Sequence, residues 1–210
     1  MISITIDCQG FPKDKSYKSA EVKAFLKKAH NKKCCYCETR MANTVEHFRP
    51  KSVYNWLIDD CENLLWACSR CNSAKGAKLP VSEKIAISPD SVADCDAKER
   101  LIMFNPARSN SQDWQIGFTP NGIIFSNNPK MQNTIRFCNL NHEDLVEARL
   151  TLYQQLENEI YAMKKYRLSF EILKEKFIMP FITDKSVEYV AFRKYIIKNY
   201  LSDMLKRIIA

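Results

Sequence analysis

Cys34-Cys35-Tyr36-Cys37, Glu46-His47-Phe48-Arg49-Pro50-Lys51, Asn63-Leu64-Leu65-Trp66 and Cys68-Ser69-Arg70-Cys71-Asn72 all fall within residues 34–72, and their spacing decides the fold. Cys34 with Cys37, and Cys68 with Cys71, make two C-x2-C pairs. Two such knuckles supply four thiolates, the donor set of a tetrahedral structural zinc site. Cys35 offers a second register, but only Cys34 has the two-residue spacing to Cys37. Zinc ribbons place about 15–20 residues between their knuckles. Here 30 residues separate Cys37 from Cys68, room for a hairpin and the start of a helix.

The insert, together with the second knuckle and the residues directly after it, carries the residue types that phosphodiester hydrolysis requires. A base must activate water, and a divalent cation must stabilise the transition state and the leaving oxygen. His47 has an ordinary pKa suited to the base. Glu46 and Asn72 offer oxygen ligands of the kind Mg²⁺ or Mn²⁺ prefers. Asn63 can orient a loop or the imidazole through its amide. Arg49, Lys51, Arg70, Lys75 and Lys78 are candidate phosphate clamps.

Outward from this segment, the whole chain has 210 residues, a formal charge of +8 and nine cysteines. Residues 1–80 hold 14 Lys and Arg against 8 Asp and Glu, and the rest hold 18 against 16. Seven of the nine cysteines share that basic first part. Such a surface attracts polyanions. No apolar run is long enough to cross a membrane, and the N-terminus lacks the pattern of a signal peptide. The expectation is a cytoplasmic protein with reduced thiols, in which Cys8, Cys61, Cys95 and Cys138 are small buried apolar residues.

Ile2, Ile4 and Ile6 alternate with polar residues as in a strand. Val22, Phe25, Leu26 and Ala29 have helical spacing, with lysines on or beyond that helix. This basic helix reads equally as a nucleic-acid arm or a solvated surface. Residues 81–113 read as loop-rich. Phe118–Phe125 reads as a hairpin with a type I′ turn at Asn121-Gly122. A long helix is expected from an Asn141 N-cap to Pro180. A second is expected from near Asp184, with Tyr189, Phe192, Ile196, Tyr200 and Ile208 on one face. His30 and His142 read as surface or capping residues. The fold class is α+β: a zinc-stapled core in residues 1–80, with its nuclease segment at 34–80, and a loop-rich, hairpin and helical part in residues 81–210.

The order C-x2-C, Glu-His, Asn, C-x2-C-Asn-x2-Lys resembles the HNH endonuclease family, which folds as a ββα-metal element. The resemblance implies metal ligation by Glu46 and Asn72, general-base catalysis by His47 and a positioning role for Asn63. Asn72 stands where the family name has its second His, as in HNN variants. Cys-Cys-Tyr-Cys-Glu38, Glu-His-Phe-Arg-Pro-Lys51, Asn-Leu-Leu-Trp-Ala-Cys68, Glu99-Arg-Leu-Ile-Met-Phe-Asn-Pro106 and Thr-Ile-Arg-Phe-Cys-Asn-Leu-Asn141 are similar to HNH proteins of retrons and Septu anti-phage systems, the PtuB type. That resemblance implies an ABC/SMC-like ATPase partner (PtuA type), retron components in some systems, and activation by phage infection. DNA is the default substrate; RNA, including tRNA, stays open, although no RNA-specific aromatic platform is visible. The competing reading is a non-catalytic zinc-ribbon module that only binds nucleic acid or a partner.

Overall fold

β1 (Ala42–His47) and β2 (Leu64–Cys68) form an antiparallel pair in which Val45 faces Trp66, Glu46 faces Leu65 and His47 faces Leu64. The register slips between Ala42 and Thr44, next to the second knuckle. Every residue of β2 is buried. Its alternation explains why the run Leu-Leu-Trp-Ala-Cys is almost wholly apolar. Leu64 and Trp66 pack in one cluster with Phe11 and with Val22 and Leu26 of α1 (Ala20–Ala29). Leu65 and Ala67 enter a second, larger cluster. α2 (Ser69–Lys75) follows β2 directly and completes a ββα element. The computed structural model describes residues 6–84, 91–166, 171, 175 and 178–202.

α1 matches the expected stripe. Ser19 Oγ accepts from Val22 N–H as the N-cap, and Asn31 and Lys32, at φ of 51° and 60°, turn the chain away after it. The expected strand at Ile2–Ile6 lies almost wholly outside the described residues. Residues 81–113 are not all loop: α3 (Val92–Lys98) starts at Ser91, whose Oγ accepts from Asp94 N–H. A further helix, α4 (Pro129–Phe137), occupies a stretch to which the sequence reading assigns no element. Asn128 caps it and Pro129 fills its first position, the combination that starts helices well.

The hairpin of β3 (Ile116–Phe118) and β4 (Ile124–Ser126) is present, but its turn differs from the expected one. Gly122 N–H donates to Thr119 O at 2.9 Å, so Pro120 and Asn121 are the central residues. Pro fits the first central position of a common turn, and positive φ falls on Gly122 alone, at 85°. Close backbone approach also requires that glycine, since an added Cβ would lie 2.3 Å from Val146 O.

The C-terminal part is helical. α5 (Glu143–Lys165) begins two residues beyond Asn141. Asn141 does not cap it; its amide exchanges two hydrogen bonds with the backbone of Ile124 and ties the hairpin to the helix start. Pro180 stands in the first turn of α6 (Met179–Thr183), where its missing N–H costs nothing. α7 (Val190–Ile196) starts six residues later than Asp184 and runs into a π-helical turn, Ile197–Leu201. Phe170, Leu173, Phe177 and Ile208, expected on these helices, lie outside the described residues. The larger cluster joins Cys35, Tyr36, Leu65 and Ala67 to Trp114, Phe118 and Met131, to Leu152 and Leu156 of α5, and to Phe192 and Ile196 of α7. No described helix is long and apolar enough to cross a membrane.

Candidate active site and metal centre

The two knuckles come together as their spacing requires. The sulfurs of Cys34, Cys37, Cys68 and Cys71 all lie within 4.8 Å of one another, and those of Cys37 and Cys68 are 3.7 Å apart. Tetrahedral zinc with Zn–S bonds of about 2.3 Å sets its sulfurs roughly 3.8 Å apart, so the four thiols fit that ion. Local backbone prepares the cage. Cys34 N–H donates to Thr39 O, Glu38 N–H donates to Cys34 O, and Glu38 adopts φ 66° in the turn between them. Cys71 N–H donates to Cys68 Sγ at the start of α2. Cys35, the alternative register, is not among the four and is buried in the core.

His47 ends β1. Its Nε2 lies 2.9 Å from the Ile58 carbonyl oxygen, so the proton on Nε2 is donated there and Nδ1 is left as the acceptor. Burial pushes its pKa below the ordinary value, the Ile58 contact opposing; the ring is neutral at pH 7 as a base must be. Asn63, fully buried, holds the loop rather than the imidazole. Its Oδ1 accepts from Arg49 N–H at 2.8 Å, and its Nδ2 donates to the carbonyls of Arg49 and Leu57. Leu57 directly precedes Ile58, so Asn63 sets the carbonyl that in turn sets His47.

Glu46 points to the opposite face of β1, toward α2. Its Oε1 takes Lys75 Nζ at 2.6 Å and the Tyr36 hydroxyl at 3.5 Å. Burial raises the Glu46 pKa, and Lys75 opposes that rise. Asn72 lies on the same face, where its Nδ2 donates to Thr44 Oγ1 and the Val45 carbonyl. Glu46, His47, Asn72, Pro50 and Lys51 all line one cleft of about 250 Å³. At this cleft Glu46 and Asn72 offer a carboxylate and an amide oxygen, the donor types that Mg²⁺ and Mn²⁺ take.

The expected phosphate clamps separate. Lys51 is exposed at the cleft, where its Nζ donates to the Tyr17 hydroxyl. Arg49 is fully buried and paired with Glu99 and Asp96, each at 2.9 Å. Lys75 is fully buried between Glu46 and the His47 carbonyl oxygen. Neither can reach a backbone phosphate without abandoning a buried partner, so both leave the clamp set. Arg70 pairs with Asp144 of α5, and Lys78 donates to the Ala74 carbonyl. Tyr17 and the Ile58 carbonyl are the site groups the sequence does not reveal. Tyr17 is 30 residues from His47 and belongs to no motif.

Two other expectations change. Cys8 and Cys61 are joined in a disulfide, their Cα atoms 6.1 Å apart. Packing of Phe11 with Val22, Cys61 and Trp66 brings the two segments together, which no spacing pattern could announce. Cys95 and Cys138 are free and buried, as expected. Of the two readings of His30, capping holds and surface does not: it is the C-cap of α1, fully buried, and its Nδ1 lies 2.8 Å from the Leu26 carbonyl.

Comparison with known proteins agrees with this geometry. The HNH endonuclease family matches residues 34–78. Septu protein PtuB of Bacillus mycoides (strain KBAB4) is 26% identical, over 90% of this chain and 77% of that protein. Septu protein PtuB of Bacillus thuringiensis is 43% identical over a shorter stretch, 30% of this chain and 27% of that protein. Septu protein PtuA of the same Bacillus mycoides strain is 25% identical over 84% of this chain but only 26% of its own length. The chain therefore spans about a quarter of that longer relative. Residues 34–78, the two cysteine knuckles and the ββα element together, match the HNH endonuclease family, and the chain as a whole is similar to Septu protein PtuB over nine-tenths of its length.

Proposed function

We propose that this protein is a metal-dependent endonuclease that hydrolyses nucleic-acid phosphodiester bonds, and that it is the nuclease subunit of an anti-phage defence system. The orientation of His47 carries the reading. With Nε2 donating to Ile58 O, Nδ1 is free to accept a proton from water at the cleft that Glu46, Asn72 and Lys51 also line. In-line attack by that water yields 5′-phosphate and 3′-hydroxyl ends. Glu46 and Asn72 would hold Mg²⁺ or Mn²⁺, which would supply the positive charge that the transition state and the departing 3′ oxygen need. Asn63 keeps the Ile58 carbonyl in place, so it acts through His47. Lys51 draws the phosphate backbone to the cleft. DNA is the default substrate, with RNA as the second choice.

The Septu relatives support the defence role and the partner. In this reading the nuclease works in the cytoplasm beside an ABC/SMC-like ATPase of PtuA type, in some systems with retron components. The test is nicking of supercoiled plasmid by the purified chain with Mg²⁺ or Mn²⁺, alone and with the product of a neighbouring ATPase gene. His47→Ala should abolish cleavage while zinc content and thermal melting stay unchanged. Cleavage retained in His47→Ala sinks the mechanism. DNA binding without any cleavage would favour the zinc-ribbon binding module instead.

A further inference from the structure

The HNH match begins at Cys34, yet the imidazole of His47 has a neighbour from outside it. The Tyr17 ring stands edge-on to the His47 ring, centroids 4.7 Å apart at 82°. The Tyr17 hydroxyl accepts from Lys51 Nζ at 2.7 Å, and that Nζ lies 4.8 Å from the Tyr17 centroid. Two attachments fix the tyrosine. Its N–H donates to Asp59 Oδ1 at 2.5 Å, one residue beyond the Ile58 carbonyl that holds His47. It also lies in the turn closed by Ser19 N–H on Ser16 O, leading into the α1 cap. A mere surface tyrosine would not touch both the base and Lys51, the one cation lining the cleft among the described residues.

The partner's chemistry matters as much as the contact. Arg49, Lys75 and Arg70 spend their charge on carboxylates. Lys51 is held by a tyrosine hydroxyl and not by a carboxylate, which places the ammonium without an ion-pair partner taking up its charge. We propose that Tyr17 is a positioning residue of the nuclease: its ring braces the His47 imidazole, and its hydroxyl presents the Lys51 ammonium to the substrate phosphate. This rests on the nuclease reading above. It adds an N-terminal arm, outside the matched domain, to the working site.

The test uses the full chain, supercoiled plasmid and Mn²⁺, with the ATPase gene product added where the chain needs it. KM and kcat are measured for Tyr17→Phe, Tyr17→Ala, Lys51→Ala and Tyr17→Phe/Lys51→Ala, with zinc content and melting as folding controls. Tyr17→Phe should raise KM about 3- to 10-fold and leave kcat within about twofold, because it removes one hydrogen bond to the clamp. Lys51→Ala should raise KM at least as much, and the double variant no further, the signature of one coupled pair. Tyr17→Ala should also lower kcat tenfold or more, and Tyr17→Phe, which keeps the ring, should not. Additive KM effects, or Tyr17→Ala at wild-type kcat, overturn the proposal. Should Tyr17→Ala fail to fold, the Tyr17→Phe and Lys51→Ala cycle still decides it. A wild type that cuts neither plasmid nor RNA, or a His47→Ala variant that cuts either, overturns the nuclease reading and this proposal with it. A His47-dependent nuclease indifferent to Tyr17 overturns this proposal alone.

Discussion

His30 is neutral inside the fold. Burial pushes its pKa from 6.5 down to about 4, and the contact with Leu26 O only partly opposes this. Between those two values the unfolded chain takes up a proton that the folded chain refuses. The stability His30 contributes is therefore complete above about pH 6.5 and is lost as pH falls toward 4. At about 1.4 kcal/mol per unit, the loss is about 3 kcal/mol. Urea unfolding of wild type and His30→Gln across that window should show a steeper decline in the wild type; parallel curves would refute the assignment. The buried cations make a second residue-scale prediction. Arg49→Met and Lys75→Met each strand a buried carboxylate, Glu99 or Glu46, and should cost about 3–5 kcal/mol. Lys51→Ala, at an exposed position, should leave the melting temperature within error. The sequence shows that Arg49, Lys51 and Lys75 cluster around His47 but not which of them is buried. Burial is decided by Asp96, Glu99 and Glu46, and two of those partners lie about 50 residues away along the chain.

At the scale of elements, β1, β2 and α2 owe their arrangement to the knuckles. A seven-residue helix and a five-residue strand are too short to be stable alone. Cys68 caps α2 and ends β2, so one residue serves the sheet, the helix and the four-cysteine cluster together. Cys68→Ser should lower zinc from one ion per chain toward none and collapse the cooperative melt; elemental analysis with calorimetry checks both. Zinc bound at full stoichiometry in that variant would exclude Cys68 as a ligand. These elements were legible in the sequence because C-x2-C, Glu-His and Asn are local signals with a fixed offset. Asn128-Pro129 announces the start of α4, but the helix has no clear apolar period: Met131 is its one fully buried apolar side chain among the described residues, Thr134 is buried as a polar one, and Ile135 and Phe137 are only partly covered. The turn at Gly122 was misread because Asn-Gly favours a two-residue hairpin loop, whereas Pro120 pre-sets a different one.

Across the whole molecule, one apolar cluster runs from Cys35 and Leu65 to Phe192 and Leu201. Its outer edge is fastened by Lys33 Nζ on Val187 O, by Arg40 on Ser186 and Glu188, and by Glu38, whose carboxylate accepts from Ala191 N–H at the start of α7. A fragment ending at residue 80 would expose Cys35, Leu65 and Ala67 to water. It should give a collapsed amide NMR spectrum even with zinc present, and a dispersed spectrum would show that residues 1–80 fold alone. Such long-range closure was not readable from periodicity, which reports which face of an element is apolar and not what covers it. The disulfide between Cys8 and Cys61 closes a ring of chain with a sequence separation of 53. That ring contains α1, the first knuckle, β1 and the arm bearing Tyr17. Lys13, Lys15 and Lys18 are exposed within it, so trypsin can cut there without separating the pieces. A nicked molecule should run as a single band on a non-reducing gel and as two bands once a thiol reductant is added, and the arm should keep its grip on the site after its backbone is severed.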